Sequence, residues 1–435
     1  MASWPGDVLV HSPSAGGQDY PDIAVHSNGT VVVVWTDYTN PADPEIYAQL
    51  LDSSGARRWT ADLRVNRNTT GEQTEPQVAT GASGEAVVVW GRVDAGKQYV
   101  SAQRIASNGT LMWGAADLKV AISPSADGHR PNVASNGDGT WVVVWTGYEG
   151  VDRNIYAQEI DVNGAVQWVP GARRGNADPT GYQDYPQVAR NASGQSIVTW
   201  LDERVPGQYS LFAQALNGVG DRVWSVMDTR VNQNASSGVS GTFGLGLGPG
   251  ETAYVTWDQT RTGATQVFGQ QLDSSGVPQW GSEDRLLAGD GLSDAAGPRL
   301  AVDTTLEAGE QLVVWEQCGN PTCSDTNISA RLFDGAGGPI WPFNLTVNQF
   351  TPFYQSFPVV AFNAVDSAYY VSWADDRGGN ADVFAQRFTE GGLVPESGQA
   401  LALVSLSGLA AAVACLYGRL PGRSDRGSRS PARNQ

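Results

Sequence analysis

The chain has 435 residues, more than one typical domain requires, and carries a formal net charge of −18 at pH 7. Because an acidic body repels phosphate groups, we exclude nucleic acid as a partner. The three histidines, His11, His26 and His129, lie at scattered positions. They therefore offer little material for a histidine-based metal site or a catalytic triad.

A β-branched run that ends in tryptophan recurs along the whole chain. Its tryptophans are separated by 55, 55, 55, 57, 58 and 58 residues, and they are Trp35, Trp90, Trp145, Trp200, Trp257, Trp315 and Trp373. A second tryptophan follows all but the last run, usually in the pattern D-x-x-G-x-x-x-W, at Trp59, Trp113, Trp168, Trp224, Trp280 and Trp341. A fixed period of this length indicates tandem structural repeats and overrides a domain count based on length.

Each repeat is predicted to form four strands. The first is a P-x-V-A type segment, as at Pro21, and we expect its proline to be the first residue of the strand, where no ladder N–H is needed. The second is the run that ends in tryptophan, continuously apolar as in a strand covered on both faces. The third contains an A-Q pair, and the fourth follows the second tryptophan. No convincing amphipathic helix is present.

The beginning of the chain supplies the strand that the last repeat lacks. The segment WPGDVLV from Trp4 matches WTADLRV from Trp59, and the two tryptophans are 55 residues apart. We therefore predict an all-β fold over residues 1–393: a seven-bladed β-propeller of four-stranded blades, in which the N-terminal strand completes blade seven. Such closure protects the two edges that an open array would expose.

Features repeated in every blade are interpreted as structural. The tryptophans are expected to be packing wedges between blades. A buried amide that satisfies strand edges or turns explains the glutamine of the A-Q pair. This residue is Gln49, Gln103, Gln158, Gln214 and Gln386, with Gln270 in a G-Q pair and Arg331 in its place in blade six.

Positions that differ between blades carry the functional prediction. The loops joining strands two and three, and those joining strand four to the next blade, emerge on the face of the channel mouth. The residues that precede the repeated prolines should line this mouth: Tyr20, Glu75, Arg130, Tyr185, Gly297 and Phe357. The ligand-binding candidates are Asp19, Tyr20, Asp37, Asp184, Tyr185, Asp202, Arg204, Phe357, Asp375 and Arg377. Aromatic rings among carboxylates can stack on and hydrogen-bond a sugar or a peptide.

Three function classes remain open at this point. We predict a non-enzymatic propeller, acting as a monomer, that binds an extracellular carbohydrate or protein through its mouth, with no catalytic residue assigned. The alternative is a secreted glycoside hydrolase or lyase that uses a pair of mouth carboxylates, such as Asp202 with Asp375. A purely structural surface protein, with an ordinary polar rim, is the third class.

Cofactor and cysteine use add little. No cofactor is predicted. Ca²⁺ stays open as an alternative because the loops are rich in aspartate, although no D-x-[DN]-x-[DN]-G loop is present. Cys318 and Cys323 share one loop and are predicted to form a local disulfide, which favours an oxidising location. A structural zinc site is not expected, since no second cysteine pair exists.

The D-x-x-G-x-x-x-W pattern resembles the Asp-box turns of sialidase-type propellers and the docking turns of quinoprotein propellers. The resemblance covers the turn alone, and in those families the turn is structural. It implies no transferable site: Arg204 and Arg377 occupy equivalent loops, but the third arginine of a sialidase cluster has no counterpart.

The C-terminal region has three consecutive parts. Residues 394–399 begin with Val394, Pro395 and Glu396; residues 400–417 are apolar and uncharged; and residues 418–435 contain dispersed arginines. The apolar part is long enough to span a membrane, and the arginines set the C-terminus in the cytoplasm.

This order is similar to the PEP-CTERM sorting signal of Gram-negative bacteria. The resemblance covers residues 394–435 and implies that Val394, Pro395 and Glu396 form the motif recognised by an exosortase-type processing enzyme. It further implies an exported protein of the cell surface or matrix. An exported protein is expected to begin with a signal peptide, but MASWPGDVLV has neither a basic start nor an apolar core. We therefore expect either that the recorded start lies downstream of the true one or that the chain is a fragment.

Overall fold

The computed structural model describes residues 4, 6–13, 15–120, 128–224, 226–234, 238–261, 263–291, 293–307, 309–319, 323 and 325–389. These belong to a compact unit that spans Met1–Gly392. A second unit, Leu393–Gln435, lies outside the described residues, as do the predicted sorting motif at Val394, Pro395 and Glu396, the predicted span 400–417 and the basic tail 418–435. The described part of the chain contains no helix with the length and apolar character that a membrane span requires.

The described chain folds into four-stranded antiparallel sheets arranged as the blades of a propeller. The innermost strands are β2 (Gln18–Val25), β6 (Glu72–Thr80), β10 (Gly128–Ser135), β14 (Gln183–Arg190), β18 (Val239–Leu247), β22 (Ala295–Val302) and β26 (Gln355–Asn363). The second strands are β3 (Val31–Asp37), β7 (Ala86–Asp94), β11 (Thr140–Glu149), β15 (Ser196–Val205), β19 (Ala253–Thr260), β23 (Gln311–Cys318) and β27 (Ala368–Asp375).

The third strand of each blade is about as long as the first two, and only the outermost strand is short. The third strands are β4 (Glu45–Leu51), β8 (Lys97–Ile105), β12 (Asp152–Asp161), β16 (Gln208–Leu216), β20 (Thr265–Leu272), β24 (Thr326–Phe333) and β28 (Asp382–Thr389). The outermost strands are β1 (Val8–Leu9), β5 (Leu63–Arg64), β9 (Leu118–Lys119), β13 (Arg173–Arg174), β17 (Thr229–Arg230), β21 (Arg285–Ala288) and β25 (Leu345–Thr346). One 3-10 turn, Pro249–Glu251, connects β18 to β19.

Blades one to six run from β2–β5 to β22–β25 in chain order, and blade seven is discontinuous in sequence. In it β1 pairs with β28, with Val8 opposite Ala385 and Leu9 opposite Phe384. The innermost strands of blades seven and one, β26 and β2, are also in contact, which closes the ring. The predicted all-β, seven-bladed propeller, completed by the N-terminal strand, is therefore confirmed.

The core lies between neighbouring sheets. The tryptophan that ends the apolar run of each second strand is at most 1% exposed in all blades, and the apolar residues Val31–Val34 before Trp35 are equally buried. A strand covered on both faces needs no polar alternation, which is why these runs are continuously hydrophobic. The interpretation of the first tryptophans as packing residues agrees with this burial.

The prediction that the repeated prolines are the first residues of the inner strands is wrong. Pro21 lies inside β2, where the pairing register with β3 shifts between Asp19 and Asp22. Equivalent bulges interrupt the inner strand of every blade. A bulge leaves a residue outside the ladder, so a proline without an N–H is tolerated in mid-strand.

The once-per-blade glutamine links the third strand to the second tryptophan. In blade two, Gln103 Oε1 accepts the N–H of Trp113 at 2.9 Å and its Nε2 donates to the carbonyl of Trp113 at 3.2 Å. The same acceptance by glutamine occurs at Trp59, Trp168, Trp224 and Trp280. The amide thus replaces the ladder bonds that the short fourth strand lacks.

Two contacts join successive blades. The indole N–H of a second tryptophan donates to a carbonyl of the next blade, as from Trp4 to Ser53 at 2.9 Å. An aspartate ahead of the fourth strand accepts N–H groups from the loop of the preceding blade. Asp7 accepts the N–H of Gln349 at 3.1 Å and also the guanidinium of Arg377 at 2.8 Å. The aspartates in this position are Asp7, Asp62, Asp117, Asp228 and Asp284.

We expect Asp7→Ala to lower the free energy of unfolding by about 2 kcal/mol, because the Gln349 N–H and the Arg377 guanidinium lose a charged acceptor whose side chain is only 3% exposed. Urea-induced unfolding of the full chain measures it. Asp228→Ala should cost a similar amount, whereas Glu307→Ala, which removes an exposed carboxylate, should change stability by no more than about 0.5 kcal/mol. A loss for Asp228→Ala without one for Asp7→Ala would show that the aspartate contact does not support ring closure.

Candidate functional site

A cavity of about 540 Å³ opens at the centre of the ring, between the inner strands. The residues that precede the repeated prolines all line it: Tyr20, Glu75, Arg130, Tyr185, Gly297 and Phe357. Each has a positive φ, between 50° and 62°. The bulge at each proline turns these side chains toward the axis, so they form a ring that we call the mouth ring.

The mouth ring is conformationally costly. A non-glycine residue in this region of φ is strained by roughly 1–2 kcal/mol. Glycine would relieve the strain, yet only blade six has it in this ring, at Gly297. Strained backbone that carries large side chains in a cavity is typical of functional sites.

One side of the mouth is aromatic. The rings of Tyr20 and Phe357 are 4.7 Å apart, and Tyr354 lies beside them on the loop that leads into β26. Phe357 and Tyr354 are 40% and 42% exposed. Asp19 precedes Tyr20 and accepts its N–H at 2.8 Å; burial, opposed by this hydrogen bond and assisted by Asp376, raises the pKa of Asp19 to about 6. We call these four residues the aromatic side.

The opposite side is charged and internally paired. Asp184 Oδ2 accepts hydrogen bonds from Arg130 and Arg153, each at 2.6 Å. Arg130 lies 3.7 Å from the centre of the Tyr185 ring, and Arg153 lies 5.1 Å from that of Tyr182. Although burial alone would raise the pKa of Asp184, the guanidinium of Arg130 holds it below its usual value.

His129 completes this charged side. Its Nε2 is 3.6 Å from Oδ1 of Asp184, and its ring stacks on Tyr148 with centres 5.2 Å apart. Burial lowers the pKa of His129 to about 4, in spite of Asp184. The imidazole is therefore uncharged near neutral pH.

The carboxyl groups of Asp22, Asp258 and Glu316 interact with the guanidinium of Arg299 in the lining of the cavity. We call these four residues the cavity floor. Burial raises the pKa of Asp22 to about 7, against the lowering influence of the Val78 and Ile23 N–H groups and of Arg299. Burial likewise raises the pKa of Glu316 to about 7 and that of Asp258 above its usual range. A Cβ on Gly297 would lie 3.2 Å from Oε1 of Glu316, so the small residue leaves this carboxyl room.

Four of the predicted ligand-binding residues lie in contacts between strands and not on the cavity wall. Asp202 and Asp375 are at most 1% exposed. Arg204 donates to Asp202 at 2.6 Å and to Asp228 at 3.2 Å. Arg377 has the same two kinds of partner, Asp375 and Asp7.

Asp37 is also held internally. Its Oδ2 accepts the Gln18 amide at 3.2 Å, and its Oδ1 accepts the N–H of Thr39 at 2.8 Å. Of the predicted residues, Tyr20, Tyr185 and Phe357 line the cavity. Asp19 and Asp184 are next to this lining, where each accepts the N–H of the tyrosine that follows it. The structure does not bring Asp202 and Asp375 to the cavity wall as a carboxylate pair.

Cys318 and Cys323 are joined by a disulfide. Within the described residues, these cysteines and Asp294 are the group whose potential metal-ligand atoms lie within 4.8 Å of one another. Since the two sulfur atoms are bonded to each other, they are not available as thiolate ligands.

Sequence reasoning missed the residues of the cavity floor and Tyr354. A signal for them was present, because the residue after the first tryptophan is acidic only in blades five and six. Across the blades it is Thr36, Gly91, Thr146, Leu201, Asp258, Glu316 and Ala374. The residue after each proline varies in the same way, from Asp22 to Arg299.

No protein family and no curated protein matches this chain. Among solved structures, an ulvan lyase of polysaccharide lyase family PL25 has a TM-score of 0.56 at 10% identity, over 88% of this chain and 94% of the lyase. Another structure of this kind is bound to -[GlcA(1-4)Rha3S]- and has a TM-score of 0.55 at 11% identity, over 88% and 94% of the two chains. The polysaccharide lyase Uly1 gives 0.54 at 10% identity, over 87% and 91%.

The likeness shows the propeller fold. At such low identity it assigns no residue and no reaction to this chain, since one fold hosts many functions.

We expect Tyr20→Gly to be more stable than Tyr20→Ala by about 1 kcal/mol, because glycine adopts the positive φ of this position without strain. Both variants remove the ring, so the comparison isolates the backbone. Thermal or urea unfolding measures the difference. Equal stabilities would show that the bulge is not strained in the folded protein.

Stability should also depend on pH through Glu316. Its raised pKa means that the folded state binds more protons than the unfolded state between about pH 4.5 and 7, so its contribution falls as pH rises through this window. The groups that face it are Asp258, Asp19, Arg299 and the N–H of Phe357.

Glu316→Gln keeps the acceptor for Phe357 but cannot ionise. Its free energy of unfolding relative to the wild type should therefore increase from pH 4.5 to 7 and level off above, as urea titrations at several pH values would show. Glu307→Gln serves as the exposed control. A constant difference for Glu316→Gln over this range would contradict the raised pKa.

Proposed function

We propose that this protein binds an extracellular carbohydrate at the mouth of its propeller, without itself being an enzyme. The observation that carries the proposal is the mouth ring: strained positions that point into a cavity and carry Tyr20, Tyr185 and Phe357 instead of glycine. Partly exposed aromatic rings among polar groups are suited to stack on a sugar and hydrogen-bond its hydroxyl groups. The polysaccharide lyases that share the fold support a carbohydrate as the ligand class.

The proposed location is the surface or matrix of a Gram-negative bacterium. Its support is the PEP-CTERM-like order of residues 394–435, with an exosortase-type enzyme as processing partner and the segment 400–417 as the membrane span before processing. Under this proposal the propeller faces outward, where polysaccharide is present.

A glycan array probed with the full chain, with and without Ca²⁺, tests the binding proposal. For a glycan that binds the protein on the array, we expect Tyr20→Ala and Phe357→Ala each to weaken binding about tenfold, which corresponds to about 1.4 kcal/mol. Isothermal titration gives the affinities.

Phe343→Ala is the matched control, because Phe343 is 54% exposed and does not border the cavity. A loss equal to that of Phe357→Ala would point to a general surface effect. If the protein binds none of the glycans on the array, the proposal is wrong.

A hydrolase is the second candidate, favoured by the carboxyl groups of the cavity floor. Glu316, with a pKa raised to about 7, could protonate a glycosidic oxygen, and Asp22 or Asp258 could take a proton from the attacking water. Water would add across the broken C–O bond. Incubation of each bound glycan followed by a reducing-end assay separates the candidates: turnover abolished by Glu316→Gln would replace the binding proposal with hydrolysis.

A further inference from the structure

The segment Q-D-Y-P occurs at the mouth in two blades. It places Asp19 and Tyr20 on β2 and Asp184 and Tyr185 on β14, at the same register relative to the neighbouring strand. In both, the aspartate accepts the N–H of the following tyrosine, at 2.8 and 2.9 Å. The two sites therefore share a backbone, a carboxylate and an aromatic ring, and they differ in what the preceding blade supplies.

Around Asp184, blade three supplies cations and a hydroxyl group. Arg130 and Arg153 each donate to Oδ2 at 2.6 Å, and Thr146 donates to Oδ1 at 2.9 Å. Arg130 also covers the ring of Tyr185. A guanidinium held between a carboxylate and an aromatic face is a favourable arrangement for a positive charge.

Around Asp19, blade seven supplies none of these groups. The counterparts of His129, Arg130, Thr146 and Arg153 are Ser356, Phe357, Ala374 and Ala381. Phe357 packs on Tyr20 where Arg130 packs on Tyr185. Across the ranges that the structure describes, no arginine or lysine lies over the rings of Tyr20, Tyr354 or Phe357.

The electrostatic consequence is opposite at the two sites. Arg130 holds the pKa of Asp184 below its usual value, whereas burial raises the pKa of Asp19 to about 6. Asp376 adds further negative charge on the same side. Asp19 is thus a carboxylate beside partly exposed aromatic rings, in a site whose internal copy contains a cation.

We propose that the aromatic side of the mouth takes a cationic amine from the ligand, so that the glycan bound is built from amino sugars with free amino groups. The inference rests on the proposed carbohydrate-binding function and names the class of ligand. An ammonium group would lie against the ring of Tyr20, Phe357 or Tyr354, and the carboxylate of Asp19 would balance its positive charge. A uronate or sulfate would instead meet uncompensated carboxylates there, which disfavours acidic glycans.

Titration calorimetry of the full chain with three oligosaccharides of equal length tests this. They are a glucosamine oligomer, the corresponding N-acetylglucosamine oligomer and a galacturonate oligomer. All are measured slightly above the pKa of Asp19, which is about 6, so that Asp19 is largely ionised while the sugar amines are still protonated. We expect the glucosamine oligomer to bind at least tenfold more tightly than its acetylated form, and the galacturonate oligomer to bind most weakly.

Two variants test the site itself. Asp19→Asn should reduce the preference for the free amine to less than threefold. Ala381→Arg supplies the counterpart of Arg153 while leaving all three rings in place, and it should remove the preference because the protein then fills the cation position. Thermal unfolding of each variant verifies that it is folded, so that either one alone suffices for the test.

Glu307→Gln controls for the net negative charge of the protein, since it removes one exposed carboxylate elsewhere. If Glu307→Gln and Asp19→Asn reduce the preference for the free amine equally, the inference is wrong, and the preference comes from the general attraction between an acidic protein and a cationic glycan. Equal affinity for free and acetylated oligomers would overturn the inference while leaving carbohydrate binding intact. Failure to bind any glycan would overturn the proposed function as well.

Discussion

The pairing of β1 with β28 is the constraint on which the rest of the structure depends. It joins residues at the two ends of the propeller, Val8 and Ala385, and it supplies the fourth strand of blade seven. Once the ring is closed, its radius is fixed by the packing of the buried tryptophans between sheets. The inner strands then face one another across a cavity of defined size. The mouth ring exists only because closure holds those strands at that distance.

Two polar systems act within this frame and have different tasks. The aspartates ahead of the fourth strands, such as Asp7 and Asp228, accept N–H groups of the preceding blade and are nearly inaccessible to solvent. They hold the ring together and have no remaining capacity for a ligand. The carboxyl groups near the axis, such as Asp19 and Glu316, have raised pKa values because burial is not matched by cations. Buried carboxyl groups whose charge is not balanced by a cation are therefore concentrated at the mouth.

Repetition makes this contrast informative, because the blades serve as controls for one another. Asp184 and Asp19 sit in the same local sequence and the same bulge, yet only the former has arginines around it. Similarly, Arg204 and Arg377 each bridge two aspartates at equivalent positions of two blades. The repetition identifies this bridge as structural and explains why neither arginine is available to a ligand. A difference between equivalent sites is thus better evidence for function than any residue type alone.

The sequence by itself determined the blade number, the closing strand and the buried tryptophans. These follow from a period of nearly constant length and from continuous apolar runs, both of which are local properties of the chain. It also placed Tyr20, Tyr185 and Phe357 at the mouth, since each precedes a repeated proline. Only the tertiary structure decided which carboxylates are paired. Asp202 and Asp375 looked as available as Asp19, but their arginine partners are local, whereas the cations absent around Asp19 would have come from another blade. Pairing across blades depends on distances in three dimensions, and a repeat period does not encode them.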